Sequence, residues 1–336
     1  MKFIISALAV LALAGCGGND ESGVSDSLTV YSGREEEIVA PLFERFEEET
    51  GIDVEVRYGD SAELAATIAE EGENSPADVF FGQDPGSLGA VSDRLASLPD
   101  DVLERVDERF RGGDKWVGTS GRTRVIVYNT DALSEDEVPD SVFDLVDPRW
   151  RGKIGIAPTN ASFQAFVTAM RLDVGEERTR EWLEGVMQND PKFYEKNTPI
   201  VEAAASGEIE LGLVNHYYLY LVRTEQGEDA PIENHHLAGD DPGALVTVAG
   251  AGVLEGAEHE DAAVRFLEFL LADEQQRFYT EEAAEAEIPL VEGIEPKEGI
   301  PSLEELADAG PEVDFTRFGA ELERTLELLN ETGYTS

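Results

Sequence analysis

Two adjacent phenols, Tyr217 and Tyr218, follow Asn215-His216 and the apolar run Ile209-Glu210-Leu211-Gly212-Leu213-Val214. A strand running into a turn at that point delivers both hydroxyls to one spot. A phenol has a pKa of about 10, so a pair of them binds soft or weakly acidic metals poorly. Ferric iron is hard enough to displace both protons near neutral pH, and paired tyrosines can therefore signal it. Strands also use Tyr as an ordinary core or rim residue, so the pair needs support from the rest of the chain.

The elements that must position it can be read from periodicity. Folded structure begins at Leu28-Thr29-Val30-Tyr31, a strand closed by Ser32-Gly33. A helix follows with Ile38, Val39, Leu42, Phe43 and Phe46 on one face and Gly51 as its stop. Residues 54–58 read as a strand, 61–71 as a helix, and Asp78-Val79-Phe80-Phe81-Gly82 as a third strand. This βαβαβ order predicts a parallel α/β sheet.

A second α/β unit follows. Its strands are Arg124-Val125-Ile126-Val127-Tyr128, Ile154-Gly155-Ile156-Ala157 and residues 209–214, with helices at 163–172 and 178–187. The Gly-interrupted apolar stretch 245–253 suits a strand crossing between lobes. The helix after it buries Ala263, Phe266, Leu267, Leu270 and Leu271, and a last helix shows a stripe of Phe318, Leu322, Leu326 and Leu329.

In an open α/β sheet, ligands sit beyond the carboxyl ends of the strands. The residues there are polar: Ser32, Gly33, Arg34 and Glu35 after the first strand, Gln83 and Asp84 after the third. Thr159-Asn160-Ala161-Ser162 follow the Ile154 strand, and Asn215 to Tyr218 follow the Ile209 strand. Ser120-Gly121-Arg122 precede the Arg124 strand. Asn160 to Ser162 also precede a helix, whose free N–H groups and positive dipole end attract an anion.

The 336 residues carry 25 Lys and Arg against 72 Asp and Glu, a net charge of −47, which excludes nucleic acid as a partner. The acids alternate with periodic apolar residues and read as solvated helix faces. Such a surface repels itself unless salt screens it, so a high-salt habitat is expected. Lys2, an apolar stretch from Phe3 to Leu13 and the sequence Leu13-Ala14-Gly15-Cys16 resemble a bacterial lipoprotein signal. Cys16, the sole cysteine, would then be the lipidated first residue after cleavage, and no disulfide can form within the chain.

The chain resembles a known family, the ferric-iron-binding components of ABC importers, which are type II periplasmic binding proteins also related to transferrin lobes. The markers, in order, are Ala77-Asp78-Val79-Phe80, Ser120-Gly121-Arg122-Thr123-Arg124-Val125, Pro158-Thr159, Lys196-Asn197, Gly207-Glu208-Ile209, Asn215-His216-Tyr217-Tyr218 and Ala244-Leu245-Val246. The resemblance implies an α/β fold of two lobes joined by hinge strands, with a ligand cleft between them. It implies no enzymatic activity. The corresponding divisions are a signal peptide at 1–15, a flexible tether at 16–27, one lobe at 28–122 with 245–290, and a second at 123–244 with 291–336.

Carried over by position, Tyr217 and Tyr218 fall on the family's phenolate ligands. Arg122, Asn160, Ala161, Ser162, Asn197 and Asn215 fall where relatives hold a synergistic anion such as carbonate or phosphate. Some relatives use a histidine after the first strand and a glutamate after the third, and Glu35 and Gln83 occupy those positions here. A further branch has a third tyrosine near Phe163. The expected partners are an ABC permease and its ATPase, with the membrane reached through Cys16 and the protein itself a monomer outside the cytoplasm.

His216 should point away from Tyr217 if the segment is extended, and His235, His236 and His259 carry no expected chemistry. Two rival functions remain open at this level. The same fold could bind a thiamine-like compound, an organic cation or an oxyanion, with Trp116 and Trp150 available for a cation box. An extracytoplasmic hydrolase finds no support in a G-x-S-x-G or H-E-x-x-H motif or in a cysteine nucleophile.

Overall fold

The first part of the chain folds as β1 Ser27–Ser32, α1 Glu36–Thr50, β2 Asp53–Tyr58, α2 Ser61–Glu71 and β3 Val79–Gly82. A computed structural model describes residues 27–237, 239–283 and 286–335. The leader, Cys16 and residues 17–26 lie outside the described residues. Strand β1 pairs in parallel with β2 and with β3, the arrangement expected of a βαβαβ unit. Helix α1 buries Val39, Leu42, Phe43 and Phe46 and stops at Gly51, whose φ of 73° suits a residue without Cβ. Asp60 caps α2 by accepting the Ala62 and Glu63 N–H groups.

Two short helices follow, α3 Pro85–Ala90 and α4 Asp100–Leu103, then β4 Arg111–Gly112 and the long β5 Trp116–Asn129. Next come β6 Ile154–Ile156, α5 Ala161–Val174, α6 Glu176–Met187, β7 Lys192–Phe193, α7 Asn197–Ala205 and β8 Leu211–Asn215. The remainder comprises α8 Tyr218–Gln226, β9 Ile232–His235, β10 Val246–Val253, α9 Glu260–Leu270, α10 Asp273–Glu281, α11 Leu303–Ala309 and α12 Phe318–Glu331.

Strand order is β2-β1-β3-β10-β5-β8-β6-β7, with β4 and β9 also on β5. All 14 residues of β5 are buried, and they serve two half-sheets in turn. Val117 to Thr123 pair with β10, whereas Arg124 to Tyr128 pair with β8 and Ile126 to Asn129 with β9. The partner change falls between Thr123 and Arg124. At that point the Arg124 N–H donates to the Leu245 carbonyl, just before β10 begins.

Each half-sheet is covered by aromatic packing. Phe266 of α9 lies against Phe43 and Phe46 of α1 at centroid distances of 5.4 and 5.1 Å, with Phe81 and Phe269 alongside. Phe166 of α5 meets Trp182 of α6 at 5.5 Å, and Tyr334 stacks on Phe163 at 5.9 Å. Buried Asp78 fastens the first half: it accepts the Thr29 N–H, the His259 N–H and the His259 ring Nδ1–H, so one carboxylate ties β1 to the start of α9.

The last helix departs from its expected stripe. Leu326 is 40% exposed, while Thr325, Leu328 and Leu329 face inward beside Phe318. The reason is packing on two neighbours. Gly319 meets the backbone of Gly89 in α3 so closely that a Cβ there would lie 2.8 Å from it, and Thr325 shares a 2.8 Å hydrogen bond with Thr168 of α5. No helix among the described residues is long and apolar enough to cross a membrane.

Candidate functional site

Strand β8 ends at Asn215, and the chain does not continue as an extended segment. Tyr217 stands at the N-cap position of α8 with helical dihedrals (φ −70°, ψ −21°) and Tyr218 opens the helix. The two rings lie 4.2 Å apart between centroids, tilted by 33°, with Tyr217 buried and Tyr218 half-buried. Because the turn is helical, His216 does not point away: its ring meets the edge of Tyr217 at 5.9 Å. His216 is fully buried. Its Nδ1 accepts the Thr123 N–H at 3.3 Å, which leaves Nε2 to donate to the Ala286 carbonyl at 2.9 Å. Burial pulls this imidazole down to about 4, so it is neutral at ordinary pH.

Beside the phenols is a polar nest built on helix starts. Asn160 caps α5, and its Oδ1 accepts the Ser162 N–H at 3.0 Å and the Ser162 hydroxyl at 2.6 Å. Asn197, the first residue of α7, donates from Nδ2 to Asn160 Oδ1 and to Ser162 Oγ, at 3.1 and 3.0 Å. Ala161 is exposed at the first turn of α5. Two helix N-termini thus meet at one set of small polar side chains, an arrangement suited to an anion.

Arg124 completes the nest. Its Nη1 donates to Ser162 Oγ at 3.1 Å and to Asn215 Oδ1 at 3.3 Å, and its Nη2 to the Leu213 carbonyl at 2.9 Å. No carboxylate among the described residues pairs with it, and its Nε is buried without a hydrogen-bond partner. Burial pulls the guanidinium down to about 10, against the opposite pull of Tyr218 and Tyr217. A cation buried without a counter-ion is costly, and an anion beside it would offset that cost. Sequence reasoning passed over this residue; a charged side chain at the head of an apolar β run was the available signal.

Arg122 is placed differently from its expected neighbours on the anion. Residues two apart on a strand share a face, but the partner change at Thr123 gives Arg122 to the first half-sheet. Its Nε donates to Glu287 Oε1 at 2.7 Å and its Nη1 to the Gln83 carbonyl, while Nη2 is buried with no partner. Gln83 is half-buried with an unpartnered, buried Oε1, and its N–H donates to Ser61 Oγ. Glu35 is exposed at the N-cap position of α1, and its side chain caps no N–H. Hydrogen bonds therefore join Asn160, Ser162, Asn197 and Asn215 through Arg124. Arg122, Gln83 and, next to Arg34, Glu35 belong to the other half-sheet. Trp116 and Trp150 are both core residues, 0% and 2% exposed, and offer no cation box.

A mixed α/β sheet in two halves, spanned by one shared strand and with polar side chains gathered where the strands end, defines a solute-binding protein of the type II periplasmic-binding fold. The profile of the family described as bacterial extracellular solute-binding protein matches residues 74–300, and the chain belongs to that family, whose function is solute binding and not catalysis. The chain is 34% identical over 318 residues to the major ferric iron-binding protein of Neisseria meningitidis, covering 91% of this chain and 92% of that one. It is 30% identical over 343 residues to the Fe(3+)-binding periplasmic protein of Serratia marcescens, covering 99% of each. Iron-bound HitA of Pseudomonas aeruginosa superposes with a TM-score of 0.83 at 34% identity, over 91% of this chain and 99% of that one.

Proposed function

We propose that this protein binds ferric iron together with a small anion and hands the metal to an ABC permease and its ATPase. The observation that carries the reading is the close, tilted phenol pair beside a buried, carboxylate-free arginine. Two phenolates supply the hard anionic donors that Fe3+ prefers. The Asn160, Ser162, Asn197 and Asn215 groups with Arg124 are suited to a carbonate- or phosphate-like anion, which would fill coordination positions that the protein leaves open. Glu35 and the free Oε1 of Gln83 are the oxygen donors proposed from the other half. The ferric relatives in Neisseria and Serratia support the cargo by similarity.

Closure would be a hinge motion about β5 and the stretch leading into β10. Residues 28–122 with 245–290 form one proposed lobe, and 123–244 with 291–336 the other. Helix α12 touches both α3 and α5, so its segment bridges the two. The proposed anchor is a lipid on Cys16, which would keep a monomeric receptor at the outer face of a membrane.

Iron-free protein given ferric citrate and bicarbonate should develop a visible phenolate-to-iron charge-transfer band. A colourless product, or a band that persists in Tyr217→Phe plus Tyr218→Phe, would reject the reading. Cys16→Ala should release the protein from the membrane fraction; equal membrane association of both forms would reject the anchor.

A further inference from the structure

Residues 286–288 touch both halves of the site. Glu287 is wholly buried, and its carboxylate is shared by two guanidiniums: Oε2 accepts from Arg34 Nη2 at 2.7 Å and Oε1 from Arg122 Nε at 2.7 Å. Ser120 Oγ donates to Oε2 at 2.6 Å. Each arginine is attached to one of the oxygen donors assigned above. Arg34 immediately precedes Glu35 in the chain, and its N–H is held by Ser32 Oγ at 3.2 Å. Arg122 donates from Nη1 to the backbone carbonyl of Gln83.

The neighbours of Glu287 face the remaining parts. Ala286 holds a left-handed φ of 48°, a conformation that a side chain disfavours, and its carbonyl accepts from the His216 ring that stands edge-on to Tyr217. Ile288 exchanges both backbone hydrogen bonds with Gly121 of β5, at 2.7 and 2.8 Å.

We propose that Glu287 is a positioning residue for metal binding, setting Glu35 and Gln83 against the tyrosine pair through Arg34 and Arg122. The proposal rests on the ferric reading above. A buried ion triad is a poor source of stability, because apolar residues of equal volume often serve as well. What apolar residues cannot do is hold a backbone carbonyl and a loop in one direction at the end of two separate strands. The triad does this while Ala286 and Ile288 tie it to the phenols and to the strand shared by both halves.

The test compares wild-type mature protein with Glu287→Gln at saturating bicarbonate, reading ferric affinity by citrate competition, the position of the visible band and the thermal midpoint of the iron-free form. Glu287→Gln should lose iron affinity by about tenfold or more and shift the band. Combined with Gln83→Ala or Glu35→Ala, the losses should fall short of additive, because Glu287 acts through those donors. Should Glu287→Gln not fold, Arg122→Lys keeps the charge, gives up the bridge to the Gln83 carbonyl, and carries the same expectation. A folded variant with wild-type affinity and band overturns the proposal, as does full additivity with both donors. A wild-type protein without any iron band overturns the ferric reading and this proposal with it.

Discussion

The rings of Tyr217 and Tyr218 lie 4.2 Å apart because β8 gives way at once to the first turn of α8. Continued as a strand, successive side chains would face opposite ways; wound into a helix start, the two phenols stay together. Each should therefore matter to the metal separately. Tyr217→Phe or Tyr218→Phe alone should weaken ferric binding by about 100-fold or more and shift the visible band, a loss at least as large as removing an outer-shell partner. Spectrophotometric iron titration of the two single variants checks this.

Arg124 should show opposite effects on stability and binding. Its guanidinium is buried with no carboxylate partner among the described residues, so Arg124→Gln removes an uncompensated charge and should leave the iron-free thermal midpoint unchanged or raised. The same change should abolish the dependence of iron affinity on bicarbonate and lower that affinity by about tenfold. Calorimetry of the iron-free protein and iron titration with and without bicarbonate measure the two effects.

The iron-free protein should lose stability as pH falls from about 6.5 toward about 4. His216 and His236 are both held near 4 by burial, against 6.5 for an ordinary imidazole. Within that window the unfolded chain takes up protons that the folded one refuses, so the direction is destabilising on acidification, by up to about 3 kcal/mol per histidine. Glu287 behaves the same way lower down: burial opposes its charge, but Arg34 and Arg122 more than offset that and hold it at about 2, so its contribution is lost only below 4.5. Urea unfolding across this range should show a flatter slope in His216→Gln than in the wild type.

Salt should stabilise the protein. A net charge of −47 on 336 residues repels itself over a surface whose helices are acid-rich on their outer faces, as in α6, α9 and α12. Screening shortens the reach of that repulsion to about 3 Å in molar salt. Thermal midpoints measured in KCl should rise from low to molar concentration; a flat or falling series would count against the high-salt habitat.

Much of the frame was legible along the chain. The periodicity of residues 28–82 led to β1, α1, β2, α2 and β3, because each is a local pattern of apolar residues ended by Gly or capped by Asp. The polar segments after the strands were legible for the same reason. Three features were not. Leu326 fits the apolar stripe of α12 but faces solvent, because the approach of Gly319 to Gly89 sets the helix rotation. His216 lies against Tyr217 because a helical turn replaces an extended segment. Glu287 stands between Ala286 and Ile288 with no local mark of the two arginines that reach it from positions 34 and 122.

Residue order alone determined which side chains could take part: a phenol pair, a chain of Asn and Ser at helix starts, carboxyl and amide groups after two strands, and an acidic exterior. Those are short-range properties, carried by residue types and their periods. The division of labour between Arg122 and Arg124 was decided only by tertiary structure. The two residues share one strand and one face, yet β5 exchanges β10 for β8 between them, so Arg122 faces a distant carboxylate and Arg124 an uncharged nest. Pairing between strands far apart in the chain sets that exchange, and no local spacing encodes it.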